Sequence, residues 1–286
     1  MLQSDIKLLL GRKMNDILTK KIDSLPPLPK TVIDLENFKK SSNKDLDTLL
    51  KIIEQDPLII ATLLKVANSA MFGFNNKVET TSRAIHLLGV NFTLSIAFGS
   101  AIKNSFTSGL DAYGLTTDGF MRLANMSSNL LAQWLSRVDN ALKEELVLPA
   151  FLLETGRFVL ASVAAEDGKD EEFFNKIKQN PSNIAAIEKE YFNATSTQVT
   201  ASIFKHWNLS DTLINIIQYT DDLENCPDRY IKEAKILNVI KTICNVTDPL
   251  NDTFVQDGLD KAKDFGLETR NLEKAIEKMQ DRLLDE

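Results

Sequence analysis

Asp56-Pro57-Leu58-Ile59-Ile60-Ala61-Thr62-Leu63-Leu64-Lys65-Val66-Ala67-Asn68-Ser69-Ala70-Met71-Phe72-Gly73 carries the start, the body and the end of one helix. Asp56 offers a carboxylate to orphan backbone N–H groups, and Pro57 stands where a first turn has no use for an N–H. The apolar run Leu58 to Ala67 then forms the body. Asn68 and Ser69 have side chains that hydrogen-bond backbone where a helix stops. Two readings of that pair stand: structural caps, or part of a surface for a partner.

The same periodicity extends in both directions. Leu46, Leu49, Leu50 and Ile53, and later Phe120, Leu123, Ser127, Leu130, Leu131, Trp134 and Val138, recur at helical spacing. No convincing period-two strand interrupts them, so the fold class expected is all-α. Gly89 can end the helix holding Ala84 to Leu88, and further starts are expected at Asn91, Thr117, Ser182, Ser210 and Asp228. Leu25-Pro26-Pro27-Leu28-Pro29 must be extended, because proline fixes φ and restricts the residue before it. It reads as an internal brace with two packing leucines, or as a ligand for a proline-recognition domain.

Residues 1–20 suggest an amphipathic N-terminal helix, since Asp5, Lys7, Arg12, Lys13 and Asp16 break up Leu8-Leu9-Leu10. Polar, glycine-bearing residues from Gly109 to Gly114 suggest two lobes, about 21–108 and 115–219. A polar shift after Tyr219 leads to helices over 220–286, where Ile231, Ala234, Ile236, Leu237, Ile240, Ile243, Leu272, Ile276, Met279 and Leu283 form apolar faces. Those faces pack on the core or serve a homodimer.

Composition narrows the function. With 286 residues, 43% of them hydrophobic, the chain can bury a sizeable core. A net charge of −7 gives no general attraction to nucleic acid or anionic lipid, so neither partner is expected. Two cysteines, Cys226 and Cys244, cannot make a disulfide framework or a four-cysteine zinc site, which fits a cytoplasmic location. No stretch approaches the roughly 18 apolar residues of a spanning helix.

The quoted stretch, with Leu25-Pro26-Pro27-Leu28-Pro29 before it and Ala84-Ile85-His86-Leu87-Leu88-Gly89 after it, resembles the HDOD domain. This is a bacterial signalling module related to the HD and HD-GYP phosphohydrolases. The resemblance runs from about Ile22 to about Tyr219. It implies a two-lobed helical bundle whose second lobe is HD-like, with Trp207 at a helix terminus typical of the family. Leu25, Pro26, Leu28, Pro29, Asp56, Pro57, Asn68, Ser69, Leu88, Gly89 and Trp207 are then family-motif residues with structural or interaction roles.

Active HD enzymes hold divalent metal through several His and Asp ligands, which activate water for attack on phosphorus. Aligned with the family helix that reads Gly-Leu-Leu-His-Asp-Ile-Gly-Lys, the run Ala150 to Leu160 has Leu153 in place of the histidine and Glu154 in place of the aspartate. Ser196 stands where relatives carry another histidine, and Tyr219-Thr220-Asp221 where Tyr-His-His is common. The last metal aspartate falls near Lys241, expected to repel a cation. The only histidines, His86 and His206, match no ligand position. No phosphate loop, Cys-His pair or nucleophile elbow is present.

The expectation is therefore a non-catalytic regulatory module with no metal and no cofactor, acting on unidentified signalling proteins, in motility or related signalling. Within these residues no DNA-binding, receiver or cyclase unit is visible, so output would pass through partners. Two alternatives remain open. One is a nucleotide sensor using a degenerate pocket at Glu154, Arg157 and Ser196; the other is a diverged phosphohydrolase using Glu154, Asp221 or Asp222.

Overall fold

The computed structural model describes residue 14 and residues 16–41, 45–74, 76–103, 105–106 and 109–284. Residues 16–23 are helical, and the rest of the helix expected over 1–20 lies largely outside the described residues. Among the described residues there are helices and one isolated bridge, Leu110 with Leu115, but no strand.

The N-terminal lobe comprises α1 (Lys30–Lys40), α2 (Leu46–Glu54), α3 (Pro57–Ala67), α4 (Thr81–Leu88) and α5 (Val90–Lys103). Asp56 caps α3 by accepting from the N–H groups of Leu58 and Ile59. At the other end, Asn68 spans a loop: its Nδ2 donates to the carbonyls of Leu64 and Val78, each at 2.8 Å, and its Oδ1 accepts from Val78 N–H at 2.8 Å. Ser69 Oγ donates to Val66 O at 2.8 Å. Gly89 ends α4 at φ 82°, a left-handed value that penalises any Cβ, and lets α5 start at Val90. α5 is buried from Phe92 to Ile102 and packs against α1, α3 and α4.

The second lobe contains α6 (Thr117–Leu135), α7 (Asn140–Leu152), α8 (Arg157–Glu166), α9 (Asp170–Gln179), α10 (Ile184–Phe192), α11 (Ser196–His206) and α12 (Asp211–Gln218). The polar segment read as a lobe boundary is no loose linker. It folds into a 3-10 turn, Asp111–Tyr113, whose Ala112 and Tyr113 are buried. The lobes touch directly where α5 meets α7: a Cβ on Gly99 would lie 2.0 Å from the Phe151 ring.

α13 (Ile231–Ile243), α14 (Asp252–Asp264) and α15 (Arg270–Leu284) complete the chain, with α13 against α6, α7 and α12, and α15 against α6. Trp134 Nε1 donates to Glu268 O at 2.8 Å, and Arg282 Nη1 to Met71 O at 2.6 Å, so the last helix is tied to both lobes. The proline segment is braced by Trp207 Nε1, which donates to Pro26 O at 3.0 Å, while Leu25 and Leu28 pack on the core. One expectation needs correction. Asn140–Glu166, running through α7 and α8, is long and apolar enough to cross a bilayer by length and composition, although 89% of its most apolar window is buried in the fold.

Gly99→Ala should destabilise the protein by about 1–3 kcal/mol through overpacking, read as a lower urea midpoint. Phe151→Leu in the same chain should recover part of the loss. A variant as stable as wild type would refute the close helix contact.

Candidate functional site

Four segments meet in the second lobe because their backbones approach unusually closely. α7 ends at Leu152, and the turn 153–156 reverses the chain into α8. A Cβ on Gly156 would lie 2.2 Å from Ser196 O, so only glycine lets the start of α8 abut the first turn of α11. Gly156 N–H donates to Thr200 Oγ1 at 2.7 Å, and that hydroxyl lies 3.0 Å from Leu153 O and 2.8 Å from Ser196 O. α11 begins with a capping box: Gln198 N–H donates to Thr195 Oγ1 and Thr195 N–H to Gln198 Oε1. Beyond α12, Asn238 Nδ2 of α13 donates to Thr220 O at 2.8 Å, which sets Asp221 beside Lys241.

The result is a buried cluster of five charges. Lys241 Nζ donates to Asp221 Oδ2 at 2.6 Å and to Ser196 Oγ at 3.3 Å, and lies 3.3 Å from Glu154 Oε1. Arg157 Nε pairs with Glu154 Oε2 and lies 3.7 Å from Glu188 Oε1. Glu188, fully buried, accepts from Tyr113 Oη at 2.9 Å and from Ser196 N–H at 2.6 Å. Thr197 Oγ1 donates to Asp221 Oδ2 at 2.9 Å, and the Arg157 guanidinium carbon stands 4.9 Å from the centre of the Tyr113 ring.

Burial and pairing act against each other on Asp221, Lys241 and Glu188. Burial raises the Asp221 carboxyl, but Lys241 and the Thr197 hydroxyl more than offset it, and the group sits below its ordinary range. Burial disfavours the Lys241 ammonium, yet Asp221, Glu154 and Glu188 hold it above the usual lysine value. For Glu188 burial prevails over the pull of Lys241 and Arg157, and its carboxyl is raised.

The positions that the resemblance reads as degenerate ligands, Leu153, Glu154 and Ser196, lie together, and a lysine ammonium stands beside them. Glu154, Ser196 and Asp221 each contact Lys241; Leu153 is buried and adds only its carbonyl. Lys241 was expected to repel a cation there, and in the structure it is itself the cation. A divalent metal does not fit these residues. The two nearest carboxylates are already held by the ammonium, no imidazole is near, and no group of three His, Cys, Asp or Glu is arranged for metal among the described residues. Asp222 lies outside the cluster and accepts from Asn225 Nδ2. His86 is exposed beside Ser82 O, and His206 lies 3.6 Å from Asp23.

Sequence reasoning missed Glu188 and Tyr113. A signal existed for Glu188, which falls four residues from Ile184 and from Phe192 on the buried stripe of α10. Next to the cluster lies a cavity of about 480 Å3 lined by Arg157, Asp221 and Lys241 with residues of α13 and α14. Of the three residues read as a ligand pocket, Glu154, Arg157 and Ser196, the ion cluster joins all three, but only Arg157 lines this cavity.

Fold and site together define an HD-like helical module whose second lobe encloses a lysine ammonium among Glu154, Ser196 and Asp221. The chain belongs to the HDOD domain family, whose profile matches residues 25–223. A virulence factor of Campylobacter jejuni subsp. jejuni is similar over 94% of this chain and 99% of that one, at 28% identity and a TM-score of 0.56. An HDOD domain protein of unknown function from Geobacter sulfurreducens shares the fold at a TM-score of 0.67, with 12% identity over 97% and 96% of the two chains. A protein of Marinobacter aquaeolei VT8 provisionally assigned to signal transduction shares it at 0.69, with 17% identity over 95% of this chain and 64% of that one. An uncharacterized protein of Treponema pallidum (strain Nichols) is 22% identical over 226 residues, 76% of this chain and 42% of that protein. The chain therefore spans about two fifths of that relative's length.

Lys241→Met should cost about 3–5 kcal/mol, because it leaves Asp221 buried without its cation and Glu154 with Arg157 alone. Lys241→Met with Asp221→Asn should regain a substantial part, and equal losses in both variants on chemical denaturation would argue against the pairing. The pH dependence has a definite sign. Asp221, depressed in the fold, supports stability above its unfolded value near pH 4 and loses that contribution as pH falls through its folded value. Glu188, raised in the fold, acts in the opposite sense. Asp221→Asn should therefore flatten the loss of stability below about pH 4, whereas Glu188→Gln should act above that pH, removing the stability that Glu188 returns as pH falls toward its unfolded value, as followed by melting temperature against pH.

Proposed function

We propose that this chain is a non-catalytic regulatory module of bacterial signalling, cytoplasmic, and acting through contacts with other proteins. One observation carries the reading: the Lys241 ammonium lies within 3.3 Å of Asp221, Ser196 and Glu154, the positions that the family resemblance assigns to metal ligands. Hydrolysis of a phosphate ester by an HD-type site needs a Lewis acid with an open position for water. An ammonium has no such position. With its proton held more tightly than usual by three carboxylates, it also makes a poor general base.

The scaffold is kept while its chemistry is displaced, which suits a protein selected for shape and surface. The likeness to the Campylobacter jejuni virulence factor extends over nearly the whole of both chains, so the frame is kept as a unit. The family-motif residues fit this picture as framework: Asn68, Ser69, Asp56 and Trp207 all spend their polar groups on backbone.

The purified protein, incubated with manganese and then desalted, should retain no stoichiometric transition metal on elemental analysis. It should also leave a phosphodiester such as bis(p-nitrophenyl) phosphate intact. Bound metal together with turnover that disappears in Glu154→Ala would overturn the proposal.

A further inference from the structure

The cavity beside the ion cluster has a charge order that the regulatory reading does not use. Its walls come from the segment 181–185, α13 and α14, while Arg157 and Asp221 reach it from the HD-like lobe. Much of the wall therefore lies beyond residue 223, where the family match ends.

Arg157 and Lys241 are the buried cations of the cavity, and Asp221, which also lines it, is already held by Lys241. Arg157 is 2% exposed, and its Nη1 has no hydrogen-bond partner. A buried charged donor left unpaired is costly and rare in a native fold, and a guanidinium is shaped for an oxyanion. Lys241 stands next to it. Lys261 adds a third positive group; its Nζ donates to Thr242 Oγ1 at 2.9 Å and forms no ion pair among the described residues. Burial pushes the Lys261 ammonium below its usual range, so an anion near it would relieve a real penalty.

The acidic groups of α14 lie toward solvent. Asp257, Asp260 and Asp264 occupy one face of α14 at helical spacing, with Asp257 half-buried and the other two exposed. Ser182 Oγ donates to Asp257 and Gln256 Nε2 to Asp260, but none of the three carboxylates is in an ion pair among the described residues. A ligand carrying only negative charge would meet these aspartates. One carrying only positive charge would meet Arg157 and Lys261.

We infer that this cavity binds a small zwitterion, its carboxylate or phosphate turned inward to Arg157 and Lys261 and its cationic end outward to the aspartates of α14. The volume of about 480 Å3 is ample for an amino-acid-sized molecule. Such a ligand would join the HD-like lobe to α13 and α14, giving the module an input. The inference does not depend on how the module signals or on whether it is catalytic.

The test uses the full chain with four probes: L-arginine and phosphoethanolamine, which carry both charges, and agmatine and succinate, which each carry one kind. L-arginine or phosphoethanolamine should raise the melting temperature saturably, and which of the two does so distinguishes carboxylate from phosphate. Titration calorimetry should give binding that weakens about tenfold, a 1.4 kcal/mol change, in Lys261→Met and in Asp257→Asn. Both substitutions lie outside the ion cluster, and circular dichroism establishes that each variant is folded, whereas Arg157→Lys tests the guanidinium itself where the variant folds. The inference is overturned if neither two-ended probe shifts the melting temperature, if agmatine or succinate shifts it equally, or if binding survives unchanged in both Lys261→Met and Asp257→Asn.

Discussion

The ammonium of Lys241 is the point from which the second lobe is organised. It comes from α13, yet the groups it contacts belong to the turn after α7, the first turn of α11 and the segment after α12. Each contact would be poor alone, because burying an isolated charge is very costly. Together they let two carboxylates, a hydroxyl and the ammonium satisfy one another out of water. Arg157, Glu188 and Tyr113 extend the arrangement on the other side of Glu154.

A buried ion cluster is weak support for overall stability, since apolar groups of the same volume can do as well. Its stronger effect is on geometry. Apolar packing would tolerate small slides of α13 over α7 and α12, whereas a lysine reaching three defined acceptors does not. Gly156 imposes the complementary constraint from the backbone side, holding α8 against α11 at a separation that no Cβ would permit. The HD-like lobe and the C-terminal helices thus share one register, although the family match stops at residue 223.

The helices and much of the frame were legible because they depend on local chemistry. Asp56-Pro57 and Gly89 mark ends of α3 and α4 through capping and a left-handed turn, and these signals involve only neighbours in sequence. The resemblance also located Leu153, Glu154 and Ser196, and the structure brings them into one neighbourhood. What eluded sequence reasoning was pairing across long separations. Lys241 was expected to repel a cation, and only the fold brings it against Asp221 and Glu154. Glu188, followed by Lys189 and Glu190, was not singled out from the sequence, although its place on the buried stripe of α10 was a signal.

The two tryptophans occupy different seams of the molecule. Trp207 donates its indole N–H to Pro26 O, where the proline segment lies against α11, and Trp134 donates to Glu268 O, just ahead of α15. Since the chain has no others, its tryptophan emission is the sum of two local signals, one at the seam with the amino-terminal segment and one at the seam with the carboxy-terminal helices. A single replacement by phenylalanine leaves one lamp burning, so the detachment of the amino-terminal brace and that of the carboxy-terminal clasp can be watched separately without any added label.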